Sequence, residues 1–522
     1  MKHYLYGLTI HSIQGYIFQT NKLKEIAGAS ELVEQICTEL FAKILEKKNF
    51  EELRVDPNAI RNAAGNIRYL FDETQLELCK KVVREFPKTV LEFAPGVQIG
   101  QAVIELDKKP ESSDFKCLEK LLTVQRSNPF RPVDLGYMAV NRSRRTGLPS
   151  VERKPFKGEF LINDQATKNK LDLIGPQNKI EGSRVNVAFF GGGISNEKVP
   201  VDVEKIVSSK DPNYSWLAVI HADGNNMGQA LRDLGKEKIA QDDYSEASKT
   251  FSEIIDNSTK SAAQKTFYDT LSKEEIDRVG FFPFRPIIVG GDDLTIVCRA
   301  DLALEFTQSY LKEFEAQTKK NFSDKGFTGD LKNGLTACAG IAFIKVNYPF
   351  HYAVDLAEKL CTHAKKDAKS KVKADEIVPS CLMFHKVQDS FIEDFAEIID
   401  RELTAKKSDV RFDFGPYYTT EHEGKPTIDG LLTKVSSLRG KDGNAIKSSL
   451  RQWLTDLHDN KEMAKQRMNR LLSVGNQTIL GKTKLELIES KGIKQIEPIG
   501  NIDSKSPVYD WLTVLSINLN DD

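Results

Sequence analysis

What constrains this chain most is an order of elements that occurs twice. "HYLYGLTIH" alternates as a strand does, and "NKLKEIAGASELVEQICTELFAKILEKK" sets apolar residues at helical spacing among helix-favouring Lys and Glu. "AIRNAAGNIRYLF" reads as a hairpin around Ala64, Gly65 and Asn66, followed by a helix, "TQLELCKKVVREF", and a strand, "GVQIGQAVIEL". After residue 213 the same order returns in "SWLAVIHADG", a long helical region, "PIIVGGDDLTIVCR", "ADLALEFTQSYLKEFEAQT" and "GLTACAGIAFI". A further helix, "HYAVDLAEKLCTHAKK", and strand, "SCLMFHK", close the second copy. A duplicated β, α, hairpin, α, β order predicts an α+β chain with two ferredoxin-like sheets.

Laid over each other, "TIHSIQGYIF" meets "VIHADGNNMG" and "AAGNIRYLF" meets "VGGDDLTIV". This overlay sets Ile13 against Asp223, and Asn66 and Ile67 against Asp292 and Asp293, so only the second copy carries acids. Turn chemistry explains a Gly-Asp pair between two strands. It does not explain a second carboxylate, because the first copy turns with Ala-Gly-Asn.

If the strand of Asp223 lies beside the hairpin, three carboxylates meet at one end of the second sheet. Like charges that close raise one another's pKa or call in a cation. Oxygen ligands without Cys or His predict Mg²⁺ or Mn²⁺, and two such ions serve the attack of a hydroxyl on a phosphate. Asp223, Asp292 and Asp293 are therefore the expected metal ligands and catalytic acids, with Gly290 and Gly291 shaping the turn. Gly224, Asn225 and Asn226 form a short loop entering a helix, where free N–H groups favour phosphate. "THAKKDAKSK" supplies Lys365, Lys366, Lys369 and Lys371; either one or two of them, Lys365 and Lys366 first, reach a γ-phosphate, or the run is a solvated basic helix end. Gly65 and Asn66 are expected to cradle a second nucleotide without metals. His221 reads as structural, since the overlay puts His11 at the same place in the acid-free copy.

Composition narrows the class. With 40% hydrophobic and 29% charged residues, net charge −1 and pI near 6.7, the chain is not held to long nucleic acid by overall charge. A local basic groove is compatible with those figures. The seven cysteines are widely spaced and spell out no zinc pair. The N-terminus lacks a signal peptide's apolar run, and no stretch of about eighteen apolar residues occurs; a cytoplasmic protein is expected.

On "LTIHSIQGYIF" with "KLKEIAGASELV", "AVIHADGNNMGQAL", "VGGDDLTIV" and "TACAGIAFIKVNYPFHYAVDLAEKLCTHAKK", the chain resembles the large palm-domain subunit of type III CRISPR effector complexes, the CRISPR polymerase. The resemblance covers residues 1–108, a degenerate first palm, and 214–388, a catalytic second palm. It implies palms that face each other and an activity that converts ATP into cyclic oligoadenylate second messengers for antiviral defence, with Asp223, Asp292 and Asp293 as metal-binding acids.

Three departures shape the expectations. An HD nuclease domain before the first palm, and the DNA-cutting activity that goes with it, are not expected. Residues 109–213, the place of the family's small zinc-bearing domain, read "NRSRRTGLPSV" where cysteine pairs belong, so no zinc is expected; Arg142, Arg144 and Arg145 either meet RNA or nucleotide phosphates or form a solvated loop. Residues 389–522 form helical patterns where the family contacts partner subunits with guide and target RNA, yet the chain is short for the family. A stand-alone enzyme and a non-catalytic scaffold of an RNA-guided complex both remain open. A diguanylate cyclase fits less well, because Leu294 follows the acids where that family carries Phe.

Overall fold

The computed structural model describes residues 2–128, 139–144, 146–156, 159–175, 179–207, 214–370, 372, 376–388, 394–422, 424–475 and 505–518. Its first sheet consists of β1 (His3–His11), β2 (Ala59–Ala63), β3 (Asn66–Asp72) and β4 (Gln98–Leu106), in the order β2-β3-β1-β4 and antiparallel throughout. This is the ferredoxin-like arrangement that the element order predicted. The helix Leu76–Phe93 buries Cys79, Val82, Phe86 and Val90, a stripe at three- and four-residue spacing that lies on the sheet. Phe86 meets Phe41 there, and Phe41 in turn stacks on Tyr6 of β1. The opposite face is covered by the helix Ser112–Ser127, whose Leu118 and Leu122 join Leu5 and Ile60 in a separate apolar cluster. Beyond it lie a hairpin of β5 (Ser150–Phe156) and β6 (Glu159–Asp164) and the helices Gln165–Asp172 and Arg184–Phe190.

The second sheet repeats the plan with β7 (Trp216–Gly224), β8 (Phe284–Gly290), β9 (Asp293–Arg299) and β10 (Ala337–Lys345), in the order β8-β9-β7-β10. β11 (Cys381–Lys386) adds parallel to β10, and Tyr417–Tyr418 pairs with the outer side of β11. Both β7 and β10 are buried along nearly their whole length, which is why they read as continuous apolar runs. The helix Phe350–Ser370 crosses β10 at close range: a Cβ on Gly340 would lie 1.9 Å from the carbonyl oxygen of Ala357. That close approach carries the end of this helix, with Lys365, over the end of β7. The C-terminal segment is mainly helical, with Phe395–Arg401, Ile428–Ser437, Gly440–Asp459, Lys461–Gly475 and Val508–Ile517, and it buries Trp453 and Trp511.

The hydrogen-bond ladders correct the overlay of the two copies. Thr9 pairs with Asn66 in the first sheet, and Asp223 pairs with Asp293 in the second. The hairpins close on Ala63 with Asn66 and on Gly290 with Asp293. The counterparts of Asp223, Asp292 and Asp293 are therefore Thr9, Gly65 and Asn66, and neither Ile13 nor Ile67 occupies an acid's place. The helix entries agree, since left-handed Ser12 (φ 49°) and Asn226 (φ 55°) each precede the next helix. By the same register His11 corresponds to Asn225, so it says nothing about His221. The Ile-His pair shared by the two strands draws an overlay of letters off register, whereas strand register is fixed by the ladder. The first copy remains free of acids at all three places.

Candidate metal and nucleotide site

Asp223 is the last residue but one of β7 and Asp293 opens β9 directly across from it, with Asp292 in the turn between β8 and β9. Gly291 holds the first central position of that turn at φ 60°, a left-handed conformation that glycine adopts without steric cost. The helix Tyr244–Thr270 fixes the turn from both sides. Thr259 Oγ1 donates to the carbonyl oxygen of Gly291 at 2.6 Å. The Gly291 N–H donates to Asp256 Oδ1 at 3.2 Å, and Asp256 is paired with Lys260 at 2.5 Å. Neither Asp256 nor Thr259 stood out in the sequence, because each sits on an ordinary amphipathic helix without a motif.

The electrostatics are those of crowded carboxylates. Burial, reinforced by Asp223, pushes the Asp292 carboxyl up to about 6, against the pull of Arg61. Burial, with Asp292 and Asp223, also raises Asp293 well above the carboxylate range, opposed by Lys365 and Arg61. Lys365 forms an ion pair with Asp223 and donates to the carbonyl oxygen of Gly224 at 2.8 Å. Two carboxyls raised by crowding beside a third acid, with only hard oxygen donors among the three, fit a divalent cation. His221, two residues before Asp223 and so on the same face of β7, adds a nitrogen donor. Ligand atoms of His221, Asp223 and Asp293 lie within 4.8 Å of one another. Its ring is buried, which lowers its pKa to about 4 and keeps it neutral, and Nδ1 lies 3.0 Å from Thr295 Oγ1. The two-residue spacing from Asp223 was the available signal for its place beside the acids.

The remaining expected residues divide. Asn225 is buried and ties its loop to the start of β10, its N–H to the carbonyl oxygen of Thr336 at 2.8 Å and Nδ2 to Thr336 Oγ1 at 3.0 Å. Asn226 is exposed at the entry to the helix Met227–Leu234. Of the lysines, Lys365 reaches the acids, while Lys366 and Lys369 are exposed and Lys371 lies outside the described residues. Gly65 and Asn66 sit in the first sheet's hairpin, where Asn66 Nδ2 donates to the carbonyl oxygen of Ala64 at 2.9 Å. The two hairpins meet tip to tip: a Cβ on Gly291 would lie 3.2 Å from the Cβ of Ala64. Arg142 donates to its own loop, at the carbonyl oxygen of Gly147, 2.7 Å away; Arg144 is exposed, and Arg145 lies outside the described residues.

Beside the acids, between β2 and the helix Tyr244–Thr270, opens a cleft of about 520 Å³ whose lining includes Phe50, Arg61, Asn62, Met227, Phe251 and Asp292. A second cleft of about 420 Å³ lies between Gln14, Phe18, His351 and Glu358. Glu358 there is raised to about 7 by burial, with Asp355 and Asp223 adding to it.

Two ferredoxin-like units meeting hairpin to hairpin, with acids on one alone, define a tandem palm-domain protein. Residues 216–374, the part of the chain that holds the second sheet unit and its acids, match the family described as Cas10/Cmr2, second palm domain. Among solved structures, it is similar to a Csm1–Csm4 cassette in complex with pppApApA, with 15% identity and a TM-score of 0.54 over 99% of this chain and 69% of that one. A Csm1–Csm4 cassette in complex with cA3 gives 15% identity and a TM-score of 0.50, again over 99% and 69%. A third cassette, in complex with AMPPNP, gives 15% identity and a TM-score of 0.43 over 70% of this chain; the match spans 53% of that chain. No curated protein matches by sequence. The likeness to the first two structures is one of fold.

Proposed function

We propose that the second palm is a metal-dependent nucleotidyltransferase that joins ATP into a cyclic or linear oligoadenylate second messenger, in CRISPR-type antiviral defence. The observation that carries this reading is the convergence of Asp223, Asp292 and Asp293 at one end of a sheet, buried enough to raise two of the three and opening on a cleft between the palms. Asp223, Asp292 and Asp293 would hold two Mg²⁺ or Mn²⁺ ions, which when bound lower the pKa of an attacking hydroxyl and neutralise charge on the leaving pyrophosphate. The chain's own groups do the rest. Thr259 and Asp256 hold the turn so that Asp292 is fixed before substrate arrives. Lys365, ion-paired with Asp223, would stand within reach of a phosphate bound at the acids. The helix Met227–Leu234 begins four residues after Asp223, and the first turn of a helix favours phosphate.

The adenine choice is supported by the related cassettes, whose bound molecules are pppApApA and cA3. The same cassettes pair Csm1 with Csm4, which supports a partner subunit for this chain; contact with that subunit and with guide and target RNA through the helical C-terminal segment is part of the same proposal. Among the described residues no helix is long and apolar enough to cross a membrane, in keeping with action in the cytoplasm. Release of pyrophosphate from ATP with Mg²⁺ or Mn²⁺ tests the reading: wild type should release it, and Asp223→Ala should not, at unchanged circular dichroism. Equal release by both proteins would remove the acids from the chemistry.

A further inference from the structure

The cleft between the palms is lined by four basic side chains, and three of them are already neutralised. Arg54 is paired with Glu51, Arg184 with Glu39, and Lys260 with Asp256. The fourth is Arg61, and among the described residues it has no carboxylate at ion-pair distance. It sits on β2, the edge strand of the acid-free sheet, where the ladder to β3 shifts register between Ala59 and Arg61. Such a bulge re-aims the side chain next to it. The guanidinium reaches across the seam, and Nη2 lies 3.7 Å from where a Cβ on Gly291 would stand, beside the turn that carries Asp292. Next to it Asn62 lines the same cleft, and its buried Oδ1 has no hydrogen-bond partner.

A planar cation with its donors unspent, at the wall of a nucleotide-sized cleft and next to metal-binding acids, fits a phosphate oxygen geometrically and electrically. We propose that Arg61 binds a phosphate of the nucleotide held between the palms. The acid-free palm thereby contributes the cation that orients a substrate toward the acids of the other palm, with Asn62 accepting a hydrogen bond from the same nucleotide. This assignment rests on the nucleotidyltransferase reading and adds a substrate contact from the first palm. It also gives that palm a task that depends on neither Gly65 nor Asn66.

The test is binding of AMPPNP and, separately, of adenosine to the full chain by calorimetry in EDTA, for wild type, Arg61→Ala and Arg61→Lys. A charge-assisted bond lost to alanine should weaken AMPPNP roughly ten- to a hundred-fold. Lysine should recover part of that, and adenosine, which has no phosphate, should bind all three proteins alike. AMPPNP binding that is the same for wild type and Arg61→Ala would overturn the assignment, as would an equal loss of adenosine, which would mark Arg61 as structural. Turnover separates the two levels: a wild type that binds AMPPNP through Arg61 yet never releases pyrophosphate would sink the nucleotidyltransferase reading and leave the phosphate contact standing.

Discussion

Asp292→Asn should make the metal-free protein more stable and, at the same time, less responsive to metal. The Asp292 carboxyl is raised from an ordinary 3.8 to about 6 by burial and by Asp223. A group whose folded pKa is raised contributes its stability in full below about pH 3.8 and loses it as the pH climbs through 6. At 1.36 kcal/mol per pH unit, the interval amounts to about 3 kcal/mol withheld from folding above pH 7. Asparagine keeps the shape and removes the charge. For a domain of this size, with 1 kcal/mol worth about 2–4 °C, the variant should melt several degrees higher than wild type in EDTA at pH 7.5. At pH 5 much of the gap should close, because wild-type Asp292 is then largely protonated. Adding Mn²⁺ at pH 7.5 should raise the wild-type melting temperature more than the variant's, since a ligand that binds only the folded state stabilises by mass action. Differential scanning fluorimetry in these three conditions reads all of this. An Asp292→Asn protein that melts below wild type in EDTA at pH 7.5 would refute the argument that the acids are held together against their own repulsion.

Two further outcomes follow from the way the hairpins are held. Thr259→Val removes the hydroxyl that bonds Gly291 without changing the side chain's outline, so pyrophosphate release should fall roughly ten-fold or more while the melting temperature shifts by only a few degrees; unchanged release would show that the turn positions itself. Asn66→Trp, which crowds the first palm's hairpin where it approaches the second, should lower formation of joined products while leaving triphosphate binding at the second palm intact, as measured by titration with AMPPNP.

How much of this was written in the sequence differs from residue to residue. The two sheets were legible because strand and helix periods repeat in the same order, and the acids because apolar strands flank a Gly-Gly-Asp-Asp that turn chemistry alone does not require. The exact register of the copies was not legible, since only the pairing of Thr9 with Asn66 and of Asp223 with Asp293 sets it, and letters shared by chance pull an overlay elsewhere. The helix Ser112–Ser127 falls outside the first palm as bounded at residue 108, yet its Leu118 and Leu122 close the outer face of the first sheet. Tyr417–Tyr418 is too brief to show any period. Arg61 was invisible because its meaning comes from the other sheet: nothing near it in the chain tells that Gly291 and Asp292 stand beside it.

The central claim is that the acids of the second palm join nucleotides, and mass spectrometry of the products tests it most directly. The purified chain, alone and with its partner subunits and target RNA, is incubated with each nucleoside triphosphate and Mg²⁺ or Mn²⁺. The account predicts phosphodiester-linked oligoadenylates from ATP, linear or cyclic, absent in EDTA and absent with Asp223→Ala. Recovery of every triphosphate unchanged, or of joined products that persist when Asp223 is replaced, would contradict it.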